Sequence, residues 1–166
     1  VECAAGSGVG LSKPGAFHAA LEMIGASKFN LITVSSVVPA GWQVQAVNRL
    51  AADDQVKMGD RLVGVLAISY AEGSTSNVTC AAALAWAVAS DEAGGYIAEA
   101  AADSGSNARR KALGVLDELT LVDGRTAWER SSLDATAEAG PGQTACALVF
   151  AAYAFQSWDN TNAAKE

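Results

Sequence analysis

Apolar residues at Phe17, Ala20, Leu21 and Ile24 recur at helical spacing and predict an amphipathic helix over 13–24. Ser12 suits its N-cap, Pro14 its first turn and Gly25 its end. The same period returns in Ala108, Leu113, Leu116 and Leu119, with charges between them, and predicts a second helix over 105–121. Elsewhere the pattern is that of strands. Residues 1–5 read as a short one, and 30–38 as an uncharged, buried one ended by Pro39. Residues 61–70, 96–102, 131–139 and 143–155 follow, the last two joined by the turn Gly140-Pro141-Gly142. Residues 80–89 are ambiguous, since their alanines favour helix by propensity while a strand also fits. Around these lie an extended piece from Gly41-Trp42 to Val47 and a polar loop over 53–60. Many strands with two amphipathic helices imply an α+β fold of sheets packed on sheets, with the helices outside.

Composition narrows the picture. The 166 residues fit a single domain, and 51% hydrophobic against 17% charged is unusually apolar for that size. Such an excess is expected where part of the surface is buried between subunits. Eleven basic against 18 acidic residues give a net charge of −7, which argues against a nucleic-acid partner. Cys3, Cys80 and Cys146 have neither metal-ligand spacing nor the even count of a disulfide framework, and one His makes a zinc site unexpected. No run has the length and flanks of a signal peptide or membrane span, so no membrane partner and a cytoplasmic location are expected. The chain opens at Val1 rather than Met, which leaves room for a leader ahead of it.

Two stretches carry candidate chemistry. Gly6-Ser7-Gly8-Val9-Gly10 resembles a nucleotide loop, but a dinucleotide fingerprint needs Gly where Leu11 stands. A phosphate loop needs Gly directly before Lys13, where Ser12 stands, so a tight turn is expected instead. The second stretch is Ser35-Ser36, two hydroxyls at the end of an apolar strand. Buried hydroxyls want partners. Serines that end a strand by bonding their own backbone are the plain alternative to a functional pair.

From Ala5 to Pro39 the chain reads AGSGVGLSKPGAFHAALEMIGASKFNLITVSSVVP. This closely resembles the amino-terminal segment of the pyruvoyl-dependent arginine decarboxylases. The shared features are a Gly-rich turn, an Ala-Phe-x-x-Ala-Leu helix, a Gly, then Asn-Leu-Ile-x-x-Ser-Ser-x-x-Pro, all in register. The likeness weakens beyond Pro39 and returns at Gly95-Tyr96-Ile97-Ala98-Glu99 and in the last apolar strand. The resemblance implies a four-layer αββα sandwich of two mostly antiparallel sheets, and a strand at 80–89.

It also implies a serine that makes its own cofactor. Oγ of Ser36 attacks the carbonyl of Ser35 across a strained peptide bond, and the resulting ester is eliminated. Hydrolysis then leaves a covalently bound pyruvoyl group derived from Ser36. The chain would become two pieces, residues 1–35 (the β chain) and 36–166 (the α chain). The ketone would act as an electron sink, taking the substrate amine as a Schiff base and releasing carbon dioxide from an amino acid, nominally arginine to agmatine. Glu99 is in register with the family's proton donor, and its shared strand face with Ile97 gives the expectation of an apolar setting. Asn30 matches the Asn that assists processing. Six residues of strand span roughly 20 Å, so Asn30 is expected to act on a neighbouring copy, in keeping with a homotrimer or higher multiple with sites between subunits.

The departures fall in the substrate-binding set, His18, Leu21 and Ser27. His18 stands where the arginine enzymes have an Asp for the guanidinium, and losing that charge-assisted contact costs about 2–3 kcal/mol of recognition. An acidic or aromatic amino acid suits a His better. Ser27 replaces a Gly and narrows the same pocket. Three other readings remain open: the same scaffold doing different imine or carbonyl chemistry, an uncleaved non-catalytic oligomer, and a hydrolase built on His18 and Ser36. The last lacks a nucleophile-elbow pattern.

Overall fold

The structure, a computed structural model, describes residues 1–51 and 56–158. Of the polar loop expected at 53–60, residues 53–55 lie outside the described residues. The elements run β1 (Glu2–Gly10), α1 (Lys13–Ile24), β2 (Asn30–Thr33), β3 (Val37–Val38), β4 (Gln45–Ala46) and β5 (Arg61–Glu72). They continue with β6 (Val78–Ala89), β7 (Gly95–Ala102), α2 (Gly105–Asp123), β8 (Trp128–Ala139) and β9 (Thr144–Gln156). One sheet has the order β2-β5-β9-β1-β4, antiparallel at its centre and parallel at its two edges. The other, β3-β7-β6-β8, is antiparallel throughout.

Side-chain alternation assembles the layers. Along β9, Cys146, Leu148 and Phe150 pack under α1, while Ala145, Ala147, Val149 and Ala151 face the second sheet. Along β6, Cys80, Ala82, Leu84, Trp86 and Val88 enter the core between the sheets. Its other face, Ala81, Ala83, Ala85 and Ala87, meets Ala108, Ala112 and Leu116 of α2. The result is an αββα sandwich. Both faces of β6 are buried, and its large and small residues alternate with period two. That pairing and burial outweigh the helix propensity of alanine.

Helix α1 spans the expected residues. Ser12 Oγ accepts from the Gly15 amide at 3.3 Å, and Gly25 closes the helix at φ 80°. Two expectations nearby are corrected. Residues 6–10 are not a turn; they continue β1 in full register with β9. Their glycines answer to packing, because a Cβ on Gly6 would overlap the Ala20 carbonyl and one on Gly8 that of Ala16. Helix α1 therefore lies directly on the strand backbone. Nor is 30–38 one buried strand. β2 is an exposed edge, paired only to β5, and the chain leaves it after Thr33. An uncharged sequence does not by itself require burial within one chain.

Replacing Gly8 with valine should drive a branched side chain into the backbone of α1. A loss of about 2–3 kcal/mol of stability is expected, measured by chemical denaturation, with Val9→Ala on the opposite face as a near-neutral control.

Candidate active site

The chain changes sheets at the serine pair. The Val34 amide still bonds the Gly64 carbonyl of β5 at 3.0 Å, and three residues later Val37 pairs with Tyr96 of β7 in the other sheet. Sheets packed face to face stand about 10 Å apart, and the Ser35–Ser36 peptide between them belongs to neither ladder. The carbonyls around it find separate donors. Ser35 O accepts from the Val37 amide at 2.9 Å, and Ser36 O accepts from the Ile97 amide at 2.9 Å. Val37 O accepts from the Tyr153 hydroxyl of β9 at 3.0 Å.

The first of these bonds closes a three-residue turn centred on Ser36. Among the described non-glycine residues only Glu92 has positive φ, so this is the common inverse form of that turn. The Ser35–Ser36 bond is not cis, and neither serine has positive φ. From the turn the Ser36 hydroxyl reaches Glu99 of β7 and donates to Oε2 at 2.8 Å. Two residues 63 apart in sequence are thereby joined, a hydroxyl beside a carboxylate able to take its proton.

The apolar setting expected for Glu99 is corrected: it is exposed, although Ile97 on the same strand face is fully buried. β3 covers β7 only as far as Tyr96, so at Glu99 that face reaches the open edge of the four-stranded sheet. Ser35 is exposed and Ser36 half-buried.

The remaining candidates are not brought to Ser36 within this chain. Asn30 Nδ2 donates to the Gly59 carbonyl at 2.6 Å, at the far end of β2. His18 is exposed on α1, which covers the outer face of the five-stranded sheet. Leu21, expected at the substrate, is instead buried between α1 and that sheet, since it belongs to the stripe that holds the helix down. Ser27 bonds Glu22 Oε1 at 2.5 Å just beyond the helix.

Sequence reasoning missed Tyr153 and Trp42, whose rings lie 6.1 Å apart beside the crossing. A tyrosine among the alanines of β9 that needs a partner for its hydroxyl is the one signal that points there. Burial, with Cys3 close by, pushes the Tyr153 phenol up to about 12, so it stays a donor across the neutral range. No helix among the described residues is long and apolar enough to cross a membrane.

A family model described as pyruvoyl-dependent arginine decarboxylase matches residues 2–158. No curated protein matches the chain. With nearly its whole length matched, the chain belongs to the pyruvoyl-dependent arginine decarboxylase family.

Burial raises the Tyr153 phenol and the Cys3 and Cys146 thiols to about 12, from 10.0 and 9.0 respectively. The folded chain therefore keeps protons that the unfolded chain releases, and the stability this represents is lost as pH rises from 9.0 toward about 12. Denaturant titrations from about pH 8 to about pH 11 should show a steepening decline, partly flattened in Tyr153→Phe.

Proposed function

We propose, from this family membership and the Ser36–Glu99 hydrogen bond, that the chain is a self-processing decarboxylase of arginine or a related amino acid. The bond is the observation that carries the reading, since it supplies both participants in the first step. Glu99 Oε2 takes the proton of Ser36 Oγ, the freed oxygen attacks the Ser35 carbonyl carbon, and the tetrahedral centre collapses by breaking the bond to Ser36 N. Nitrogen takes up the proton from Glu99, leaving Ser35 as an ester on the Ser36 side chain. Loss of the Ser36 Cα proton expels the Ser35 carboxylate. The dehydroalanine left at 36 takes up water and releases ammonia, which makes the pyruvoyl group.

That group supplies a carbonyl able to draw electrons from a bound amino acid as carbon dioxide leaves. Glu99 then holds a proton beside it and returns one to the product carbon. Trp42 and Tyr153 border the same rim.

The substrate side needs a second copy on this reading. His18 and Ser27 lie on and after α1, across the five-stranded sheet from the layer that Glu99 borders, and the Asn30 amide points to Gly59. Meanwhile Ile32, Val34, Val37 and Trp42, all on or beside the crossing, are 39–55% exposed. Such an apolar rim fits a homotrimer, or a multiple of one, in which α1 of one copy faces the crossing of the next. His18 in place of an acid leaves a guanidinium without its charged partner, which favours an amino acid with an acidic or aromatic side chain.

Intact-mass measurement of the purified protein tests this directly. Fragments 1–35 and 36–166 are expected, the larger reacting with phenylhydrazine and losing turnover as it does; an unbroken, unreactive chain would overturn the reading. Ser36→Ala should give one uncut, inactive chain. In Glu99→Gln folding should persist while decarboxylation falls about 100-fold or more; near-normal turnover would remove Glu99 from its role.

A further inference from the structure

We infer that the main-chain N–H of Val37 is the oxyanion donor for self-cleavage, bonded in advance to the carbonyl that Ser36 attacks. The inference rests on the self-processing reading above and adds the group that stabilises its first transition state.

When Ser36 Oγ bonds to the Ser35 carbonyl carbon, the π electrons of that carbonyl move onto its oxygen. The hydroxyl proton passes to Glu99 Oε2, and the negative charge has to be met at Ser35 O. The Val37 amide is 2.9 Å from that oxygen. This is the distance at which a preorganised donor lowers the energy of a developing oxyanion. The five-membered ring formed by Oγ, Cβ, Cα and N of Ser36 with the Ser35 carbonyl carbon lies inside the same turn. The donor therefore has no large movement to make as the charge appears.

The donor is itself strengthened. Val37 N–H belongs to the peptide whose carbonyl is Ser36 O, and that carbonyl accepts from the Ile97 amide at 2.9 Å. Withdrawing charge at the oxygen of an amide makes its N–H a better donor, so Ile97, the Ser36–Val37 peptide and the Ser35 carbonyl form a polarised series. The Val37 carbonyl is held in turn by the Tyr153 hydroxyl at 3.0 Å, which fixes the peptide on its other side. Asn30, the side chain in register with the family's processing residue, is engaged with Gly59. Val37 presents its side chain to solvent, 55% exposed, so the role belongs to the backbone and is invisible to a comparison of side chains.

The test removes the Val37 hydrogen-bond donor and, in the same change, weakens the Ser36 carbonyl as the acceptor of the Ile97 amide, so it breaks the polarised series at its donor. Val37 is replaced by its α-hydroxy analogue, 2-hydroxy-3-methylbutanoic acid, which turns the N–H into an ester oxygen. Cleavage is followed by mass beside wild type. Expected is cleavage slowed about 100-fold in the ester chain. Wild-type cleavage in the ester chain would overturn the donor while leaving self-processing intact. A wild-type chain that never cuts would overturn self-processing itself. A second measurement does not depend on cutting. In Ser36→Ala with ¹³C at the Ser35 carbonyl, the infrared carbonyl band should move to higher frequency when position 37 carries the ester. A band that stays put would mean the bond is absent and the inference wrong.

Discussion

A chain that leaves one sheet of a sandwich and joins the other must strip a few peptides of their ladder partners. Here the change is made within residues 34–37, and the peptides concerned include Ser35–Ser36. Backbone polar groups without partners are costly. The crossing is accordingly held by the Val37 and Ile97 amides and by the Tyr153 hydroxyl, one from each of three elements. Held in this way, the Ser35 carbonyl lies outside the sheets, and the Ser36 hydroxyl is turned toward β7 and Glu99. In a continuous strand the same serine would point to one face of its sheet and its amide would be locked in the ladder. The break between β2 and β3 is therefore what gives the pair its geometry.

The helices lie close on the sheets because so much of the packing beneath them is alanine and glycine. One face of β6 is four alanines under α2, and alternate glycines of β1 let α1 rest on bare backbone. At the corner beside the crossing, Gly94 at φ 94° leaves no room for a Cβ next to the Val38 carbonyl, so β3 closes directly onto the turn before β7. Small residues yield less apolar burial per position than leucine or phenylalanine, and the layers compensate by number and proximity. The high apolar fraction of the sequence is in large part this choice of small side chains.

Much of this was legible beforehand, and the exceptions have physical causes. Both helices carry the 3.6-residue stripe, and α1 also carries a working cap at each end, so its limits were readable to the residue. Strands β5 and β9 are long, free of charge between their end residues, and bounded by turn residues. The glycine run of β1 read as a turn because a single sequence cannot show that a helix will lie on it. The exposure of β2 was hidden for a related reason, since Leu31, Ile32 and Val34 carry the composition of a buried strand whether their cover is the same chain or another. Ser36 and Glu99 were each identified through the family motif, and nothing in the spacing of the two residues foretells their contact. Tyr153 went unseen because its partner is a backbone carbonyl, which carries no sequence signal.

The exposure of Glu99 and the apolar rim beside it bear on each other. On the proposed function Glu99 returns a proton to carbon rather than to solvent, a step that works best with water excluded, and within one chain Glu99 is open to water. Ile32, Val34, Val37 and Trp42 gain nothing by facing solvent and lie on or beside the crossing that carries Ser36. On the proposed assembly, one association buries that rim, closes the water out from Glu99 and brings α1 of a neighbour toward Ser36. Activity, specificity at His18 and the burial of the leftover apolar surface then depend on the same contact. A change that weakens the rim should lower all three together, whereas a change at His18, exposed and remote from the core, is free to alter substrate preference alone.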